Sequence, residues 1–301
     1  MKRTRRTTHN PHPVSWLKIL LINAQGAETY FKQIKNTVVK QLEEKPKVVA
    51  VTETHHRPND TIPQALKNYI WIGKPSNKIS RGVGFWIHNS ISPMCDIIVK
   101  PEIKTHPDIL WIQITTKQTV IYIAIVYSHP NDPPTHNKIL NTLAHNVKQL
   151  ISKGKVIITG DFNARCPDIT GDKDTNAHTQ LLQKFLLENE MSVLTNPAQQ
   201  TSDDHYTFNG PQGFSIPDYI MIPSSQLDRY QYEVRQDLDT GSFHKPIVAS
   251  LLFPKINTDS WGEKERKQHQ LDYTTIPTYK KELLKHLPTV HTKQMLDSKE
   301  K

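Results

Sequence analysis

A short apolar run rich in β-branched residues leads directly into the polar sequence Gly160-Asp161-Phe162-Asn163. The run, residues 156–159, is too short for a helix and follows Gly154, so it predicts a buried strand that delivers Asp161 to a loop. Residues two positions apart in an extended chain point the same way, so Asp161 and Asn163 share a direction. A carboxylate beside an amide suits a hard cation or the phosphate that it neutralises. An ordinary strand end with turn residues explains this stretch equally well.

A strand–helix–strand unit is predicted near the start of the chain. Residues 17–22 and 48–51 form two further apolar runs, which end at Asn23 and at Thr52-Glu53. Between them, residues 30–45 carry apolar side chains near helical spacing with charged residues between them, which predicts an amphipathic helix. Buried strands that alternate with a helix, and that end in polar residues, are typical of a layered α/β arrangement.

The rest of the chain adds strands and two helices. Strands are predicted at residues 82–88, 109–114, 119–127 and 218–222, at short stretches near Val193 and Tyr206, and at 247–253. One predicted helix carries Leu140, Leu143, Val147 and Leu150 on one face, and another starts at Asn176 as its cap. Two strand-rich halves with helices predict an α+β fold, a four-layered α/β/β/α sandwich with its polar strand ends along one rim.

Charge divides the chain into three parts. Residues 1–18 carry five Lys or Arg and no acid, residues 255–301 carry ten against seven acids, and the net charge of the whole chain is +9. We therefore expect a disordered basic arm at residues 1–15, one folded domain at 16–254, and a linker or helical tail at 255–301. Basic ends are expected where a chain touches a polyanion, although an arm that only solubilises or targets the protein explains the charge of residues 1–6 equally well.

The composition excludes several other classes of protein. Two cysteines, Cys95 and Cys166, provide neither a disulfide framework nor a zinc pattern, so a reducing compartment is expected. No apolar run approaches the length of a membrane span, and no apolar core follows the basic start as it would in a signal peptide. We expect a soluble, intracellular protein with no membrane partner.

Polar residues at the ends of the predicted strands form an ordered set: Asn23, Glu53, Tyr127, Asp161, Asn163, Asp218 and His244. Their sequence blocks are Asn-Ala-Gln-Gly, Thr-Glu-Thr-His, Val-Tyr-Ser-His-Pro, Gly-Asp-Phe-Asn-Ala, Ser-Ile-Pro-Asp-Tyr and Ser-Phe-His-Lys-Pro. In this order they resemble the endonuclease/exonuclease/phosphatase superfamily, and within it the apurinic-endonuclease-like domain of LINE-type (non-LTR) retrotransposons. The resemblance covers roughly residues 17–253. Each block alone is weak, but six in the right order are specific.

The resemblance implies a role for each residue of the set. Glu53 would bind Mg²⁺ or Mn²⁺ with support from Asn23, and Asp161 would position or deprotonate the attacking water. Asn163 and Tyr127 would hold the phosphate, and Ser215 is a weaker candidate for the same task. His244, oriented by Asp218, would act as a base or as a phosphate-stabilising cation. Carboxylate ligands without a Cys/His cluster favour Mg²⁺ or Mn²⁺ over zinc.

Each of these residues also has a simpler interpretation. Glu53 could be a solvated strand-end residue, Tyr127 a strand aromatic, Asp218 a turn residue, and His244 one of many surface histidines. Other histidines, at positions 55, 56, 129 and 205, are expected to be surface residues.

The implied function is the nicking of DNA in the nucleus, with the RNA of the parent element as a second candidate partner. The tail from Leu271 resembles the segment that joins such endonucleases to a reverse transcriptase. The 301 residues contain no polymerase, so the sequence is interpreted as an isolated domain, a truncated element or a stand-alone descendant.

One departure from the family pattern affects the expected activity. The family carries Ser-Asp-His where this chain has Ser242-Phe243-His244, so a carboxylate beside the metal is lost. Asp237 or Asp239 could compensate for it, and Pro217 before Asp218 could alter a strand. Two alternatives to an endonuclease therefore stay open: a catalytically weakened, nucleic-acid-binding remnant, and a phosphatase or phosphodiesterase of the same fold that acts on another substrate.

Overall fold

The computed structural model describes residues 14–58, 60, 66–78, 80–98, 102–116, 119–195, 205–211, 213–227 and 230–254. The strands are β1 (Val14–Asn23), β2 (Val48–Thr52), β3 (Tyr69–Lys74), β4 (Val83–His88), β5 (Cys95–Ile97), β6 (Ile109–Thr115), β7 (Val120–Tyr127), β8 (Lys155–Asp161), β9 (Met191–Val193), β10 (Phe208–Gly210), β11 (Gly213–Ser215), β12 (Asp218–Pro223), β13 (Tyr230–Val234) and β14 (Ile247–Pro254). The α-helices are α1 (Phe31–Asn36), α2 (Pro133–Leu150), α3 (Pro167–Thr170) and α4 (Thr179–Glu188).

The strands form two six-stranded mixed sheets and a small hairpin. The first sheet has the order β13-β14-β1-β2-β4-β3, the second has the order β5-β6-β7-β8-β12-β9, and β10 pairs with β11. Within the first sheet β1 and β2 are parallel, and within the second β7 and β8 are parallel. The remaining neighbours are antiparallel, so the predicted strand–helix–strand units sit inside otherwise antiparallel sheets.

Alternate residues of the central strands are buried on opposite faces, and this creates the layers. In β7, Ile121, Ile123 and Ile125 face the cluster between the sheets, and Tyr122, Ala124 and Val126 face α2 and α4. In β1, Ile19 and Leu21 point between the sheets, whereas Leu20 and Ile22 point toward α1. A strand buried on both faces is a continuous apolar run, which is why the sequence predicts these strands well. The predicted α/β/β/α sandwich is confirmed.

The pairing register places the ends of several strands at one rim. The carboxyl ends of β1 and β2 are neighbours, with Asn23 opposite Thr52, and Tyr127 is likewise opposite Asp161. The antiparallel β12 begins at this edge, since Asp218 is paired with Asp161.

Two helix predictions differ from the structure. The predicted helix at residues 30–45 is an α-helix only to Asn36, and a π-helical turn over Thr37–Gln41 follows it. Three β-branched residues begin that turn, and such residues lower helix propensity. In α4, His178 and not Asn176 is the N-cap residue. Asn176 instead links the loop after β8 to the helix start, donating from Nδ2 to the Asn163 carbonyl at 2.7 Å.

Four strands were not predicted from the sequence: β3, β5, β11 and β13. They are short or lie at a sheet edge, and their residues are more exposed than those of the central strands. Both cysteines are free and buried. Among the described helices, none is both long enough and apolar enough to cross a membrane. Residues 1–13 and 255–301, where an arm and a tail were predicted, lie outside the described residues.

Candidate active site

Asn23, at the end of β1, connects the two sheets at the rim. Its Nδ2 donates to Oε1 of Glu53 and to Oδ2 of Asp161, at 2.8 Å each. The backbone N–H of Gln25 donates to Asn23 Oδ1 at 3.1 Å, which fixes the orientation of the amide. Asn23 and Asp161 are buried, so an amide between two carboxylates replaces the water that would otherwise solvate them.

Asp161 is held from two sides. Its Oδ1 accepts the backbone N–H of Asn163 at 2.9 Å, and its backbone carbonyl accepts the N–H of Ser128 at 2.8 Å. Burial, reinforced by the negative charges of Asp218 and Glu53, raises the pKa of Asp161 well above its ordinary value. A positive charge close to such a buried carboxyl group would stabilise its ionised form.

His244 and Asp218 form a buried ion pair beside these carboxylates. His244 Nδ1 lies 2.8 Å from Asp218 Oδ2, which also accepts the hydroxyl of Thr207 at 2.8 Å. Burial alone lowers the pKa of His244, but the charge and hydrogen bond of Asp218, with Asp161 and Glu53, raise it to about 9. The imidazole is therefore a cation at neutral pH, with its orientation fixed by Asp218.

Glu53, Asp161 and His244 together form a candidate metal site. One ligand atom from each lies within 4.8 Å of the other two. Glu53 has a positive φ of 47°, an uncommon backbone conformation that is often associated with functional sites. The two carboxylates offer hard oxygen donors, so they fit a small divalent cation, with the protonated His244 beside them.

Tyr127 and Asn163 lie next to this cluster. Tyr127 is buried, and burial together with the charges of Glu53 and Asp161 raises the pKa of its phenol, which therefore keeps its proton. Asn163 is half-buried with a positive φ of 46°, and its Nδ2 donates to the Ser128 carbonyl at 2.9 Å. One of its amide hydrogens is thus committed to the protein, and the other is the candidate donor to a phosphate.

Ser215 lies in the small hairpin. It is buried, it is paired with Phe208, and it immediately precedes Ile216, whose N–H donates to Asp172. The hydrogen bonds that join Asn23, Glu53 and Asp161 do not include it. Its role in binding a phosphate stays a prediction.

Several residues of the site were not predicted from the sequence. Thr207 donates to Asp218, Phe208 packs edge-on against His244 with ring centroids 5.0 Å apart, and Gln25 binds the segment before His244. His55, expected to be only a surface residue, is indeed exposed, yet its Nε2 lies 3.5 Å from Glu53 Oε2. The block Thr-Glu-Thr-His could have pointed to His55, and the resemblance to the retrotransposon branch includes Phe208, whereas no motif points to Thr207.

The two proposed substitutes for the lost carboxylate are engaged elsewhere. Arg235 donates to both carboxylate oxygens of Asp237, at 2.8 and 2.6 Å, and Asp239 Oδ1 accepts the N–H of Gly241 at 2.8 Å. Neither aspartate contributes to the described cluster of metal-ligand atoms. Pro217 does not disturb its strand, because β12 begins after it and its carbonyl accepts the N–H of Phe162 at 2.9 Å.

Comparisons with known proteins agree with the observed fold. Residues 121–248 match the family described as Endonuclease-reverse transcriptase. The structure is similar to the endonuclease domain of TRAS1, a telomere-specific non-LTR retrotransposon, with a TM-score of 0.61 and 19% identity over 80% of this chain and 100% of that chain. No curated protein sequence matches this chain.

Two further enzymes are also similar in structure. The AP endonuclease LMAP from Leishmania major gives a TM-score of 0.65 at 14% identity, covering 84% of this chain and 93% of that chain. A 3' phosphatase from Neisseria, bound to product DNA hairpin, gives a TM-score of 0.60 at 16% identity, covering 77% of this chain and 98% of that chain. These matches establish a shared fold.

Proposed function

We propose that this chain, which has the fold of the endonuclease/exonuclease/phosphatase superfamily and is related to retrotransposon endonucleases, is a divalent-metal-dependent phosphodiesterase that nicks DNA. In this proposal it is the endonuclease of a non-LTR retrotransposon or a descendant of one, and it acts in the nucleus. The observation that carries the proposal is the convergence of Asn23, Glu53, Asp161, Asp218 and His244 at one rim.

Glu53 and Asp161 would hold the cation, and Mg²⁺ or Mn²⁺ suits two carboxylates. Such a cation supplies charge neutralisation at the phosphate oxygens. The raised pKa of Asp161 supports this assignment, because a cation would offset the burial, and the repulsion from Asp218 and Glu53, that raise it. Asn23 would keep Glu53 and Asp161 at a fixed separation by donating to both.

The remaining residues would act on the phosphodiester and on water. Asp161, whose Oδ1 accepts the Asn163 N–H at 2.9 Å, would position the attacking water beside the cation. The His244 imidazolium, oriented by Asp218, would stabilise the negative charge that develops on the phosphate. The Tyr127 phenol and the free amide hydrogen of Asn163 would donate to phosphate oxygens, and Ser215 is kept as a weaker candidate.

Nicking of supercoiled plasmid DNA in the presence of Mg²⁺ or Mn²⁺ tests the proposal. We expect Glu53→Ala and Asp161→Asn each to reduce the rate by at least about 10²-fold, the usual scale for a group that stabilises the transition state or transfers a proton. Asp174→Asn is the matched control, because Asp174 is an exposed carboxylate in the loop before α4 and should leave nicking unchanged. A wild-type chain that nicks with neither metal, or mutants that nick normally, would contradict the proposal.

A catalytically weakened remnant is the second candidate, and Phe243 is the observation that favours it. No carboxylate stands at position 243, and Asp237 and Asp239 have other partners. If the missing charge limits the rate, Phe243→Asp should raise nicking activity and lower the Mg²⁺ concentration needed for half-maximal rate. An unchanged or lower rate would refute that explanation. Hydrolysis of mononucleotides or lipid phosphates without nicking would instead indicate a phosphatase of the same fold.

A further inference from the structure

We propose that Phe243 is a stacking platform for an unpaired nucleobase next to the cleaved phosphodiester, so that the site binds DNA whose base at that position is unstacked. This inference rests on the proposed function of the site and names its substrate class. Nucleic acid that offers a free base face is the required ligand.

The Phe243 side chain is exposed although it is large and apolar. Its exposed fraction is 51%, whereas the adjoining His244 is 6% exposed. Phe208 contacts both rings, with centroid distances of 6.4 Å to Phe243 and 5.0 Å to His244. Phe208 therefore links the proposed catalytic imidazole to the half-exposed ring of Phe243.

The backbone of Phe243 is held by hydrogen bonds from two sides. Gln25 Oε1 accepts the N–H of Phe243 at 3.0 Å and the hydroxyl of Ser242 at 3.1 Å. On the other side, the Phe243 carbonyl accepts the N–H of Asn209 at 3.0 Å. With both its backbone groups bonded, the Phe243 main chain is held beside His244, so no loop has to be ordered before the ring can stack.

A base is the group that this ring fits. A phosphodiester at the His244 site carries a nucleoside on either side, which brings a base into the vicinity of the neighbouring ring. In a duplex the faces of that base are covered by its neighbours, whereas in a single strand they are available. Stacking of a base on an exposed aromatic ring is worth about tenfold or more in affinity per base and tolerates any sequence.

A thermodynamic cycle between the ring and the base provides the test. Affinity is measured by fluorescence anisotropy, in Ca²⁺ without Mg²⁺, for a short oligothymidylate and for a strand of equal length in which every base is replaced by a tetrahydrofuran spacer. We expect Phe243→Ala to weaken binding of oligothymidylate about tenfold and binding of the baseless strand less than about twofold. Phe243→Trp should bind oligothymidylate at least as tightly as the wild type.

Phe214→Ala is the matched control, because Phe214 is also aromatic and 49% exposed but contacts Tyr206 instead of His244. It should change neither affinity. Equal losses on both strands after Phe243→Ala, or no loss on oligothymidylate, would overturn the stacking proposal. Plasmid nicking with Mg²⁺ is scored separately. If the wild type nicks the plasmid but Phe243→Ala affects both strands equally, only the stacking proposal is wrong. If Phe243→Ala weakens binding of oligothymidylate alone but the wild type does not nick, only the proposed nuclease activity is wrong.

Discussion

At the scale of single residues, two histidines outside the acidic cluster are completely buried. The rings of His136 and His178 stack with centroids 4.1 Å apart and an interplanar angle of 6°. Ser128 Oγ lies 2.7 Å from His136 Nδ1, and His178 Nδ1 donates to the Phe162 carbonyl at 3.3 Å. The pair thus packs under the loops that carry Asn163 and Ser128. Burial, and the proximity of the second ring, lowers the pKa of His136 to about 3, and burial also lowers that of His178.

This pair predicts a loss of stability in mild acid. The unfolded state takes up a proton near the ordinary histidine pKa of about 6.5, whereas folded His136 stays neutral until about pH 3. Its contribution is therefore complete above about pH 6.5 and is lost as the pH falls, by roughly 2 kcal/mol at pH 5. Urea unfolding at pH 7.5 and pH 5 measures the difference, and His136→Gln should reduce it. An identical pH dependence in both proteins would refute the assignment.

At the scale of secondary-structure elements, Gly160 allows β8 to run close beside β7 just before Asp161. Its φ is 143°, and a Cβ atom there would lie 2.0 Å from the Val126 carbonyl oxygen. A side chain at this position must therefore push the two strands apart where they carry Tyr127 and Asp161. Gly160 is therefore needed for the close pairing of β7 and β8 and for the positions of Tyr127 and Asp161 at the site.

We expect Gly160→Ala to lower the free energy of unfolding by about 2 kcal/mol or more, since strain and overlap act together. Gly213→Ala is the control: Gly213 has a φ of 109° in the hairpin, but nothing lies within 4 Å of its Cβ position. It should therefore show only the backbone strain. Denaturant midpoints of the two variants measure this difference. Equal midpoints would show that the overlap with Val126 does not lower the free energy of unfolding.

At the scale of the whole molecule, the rim is held together by contacts between the two sheets. Asn23 in the first sheet binds Asp161 in the second, 138 positions away, and the cluster between the sheets draws residues from both. The position of each residue of the candidate site is therefore set by the packing of the sandwich. The basic ends of the chain are separate in sequence from this domain. The boundaries proposed at residues 15 and 255 stay predictions.

A shortened chain tests the proposed division of labour. Removing residues 1–13 deletes Lys2, Arg3, Arg5 and Arg6. If the arm contacts phosphates, the deletion should weaken DNA binding at low salt and reduce the slope of log affinity against log salt by about one per lost contact. The thermal midpoint should not change. A variant with the same four residues replaced by glutamine should behave like the deletion, whereas an unchanged salt slope in both would leave the arm a targeting or solubilising segment.

The sequence by itself determined the central strands and the residues at their ends. Runs such as the one before Asp161 are apolar on both faces, and a polar residue directly after such a run must lie at the rim of a sheet. This local rule found Asn23, Glu53, Tyr127 and Asp161. The order of the motifs supplied Asp218 and His244, and the resemblance to a family supplied their roles.

Only the tertiary structure decided what these residues touch. Asn23 binding Asp161 from 138 positions away, Gln25 binding Phe243 from 218 positions away, and Thr207 supporting Asp218 all depend on how distant segments of the chain meet in the fold. The burial that raises the pKa of Asp161 also depends on that packing. Hydrophobic periodicity is a property of neighbours in the chain, whereas hydrogen bonds and electrostatic fields are properties of neighbours in space.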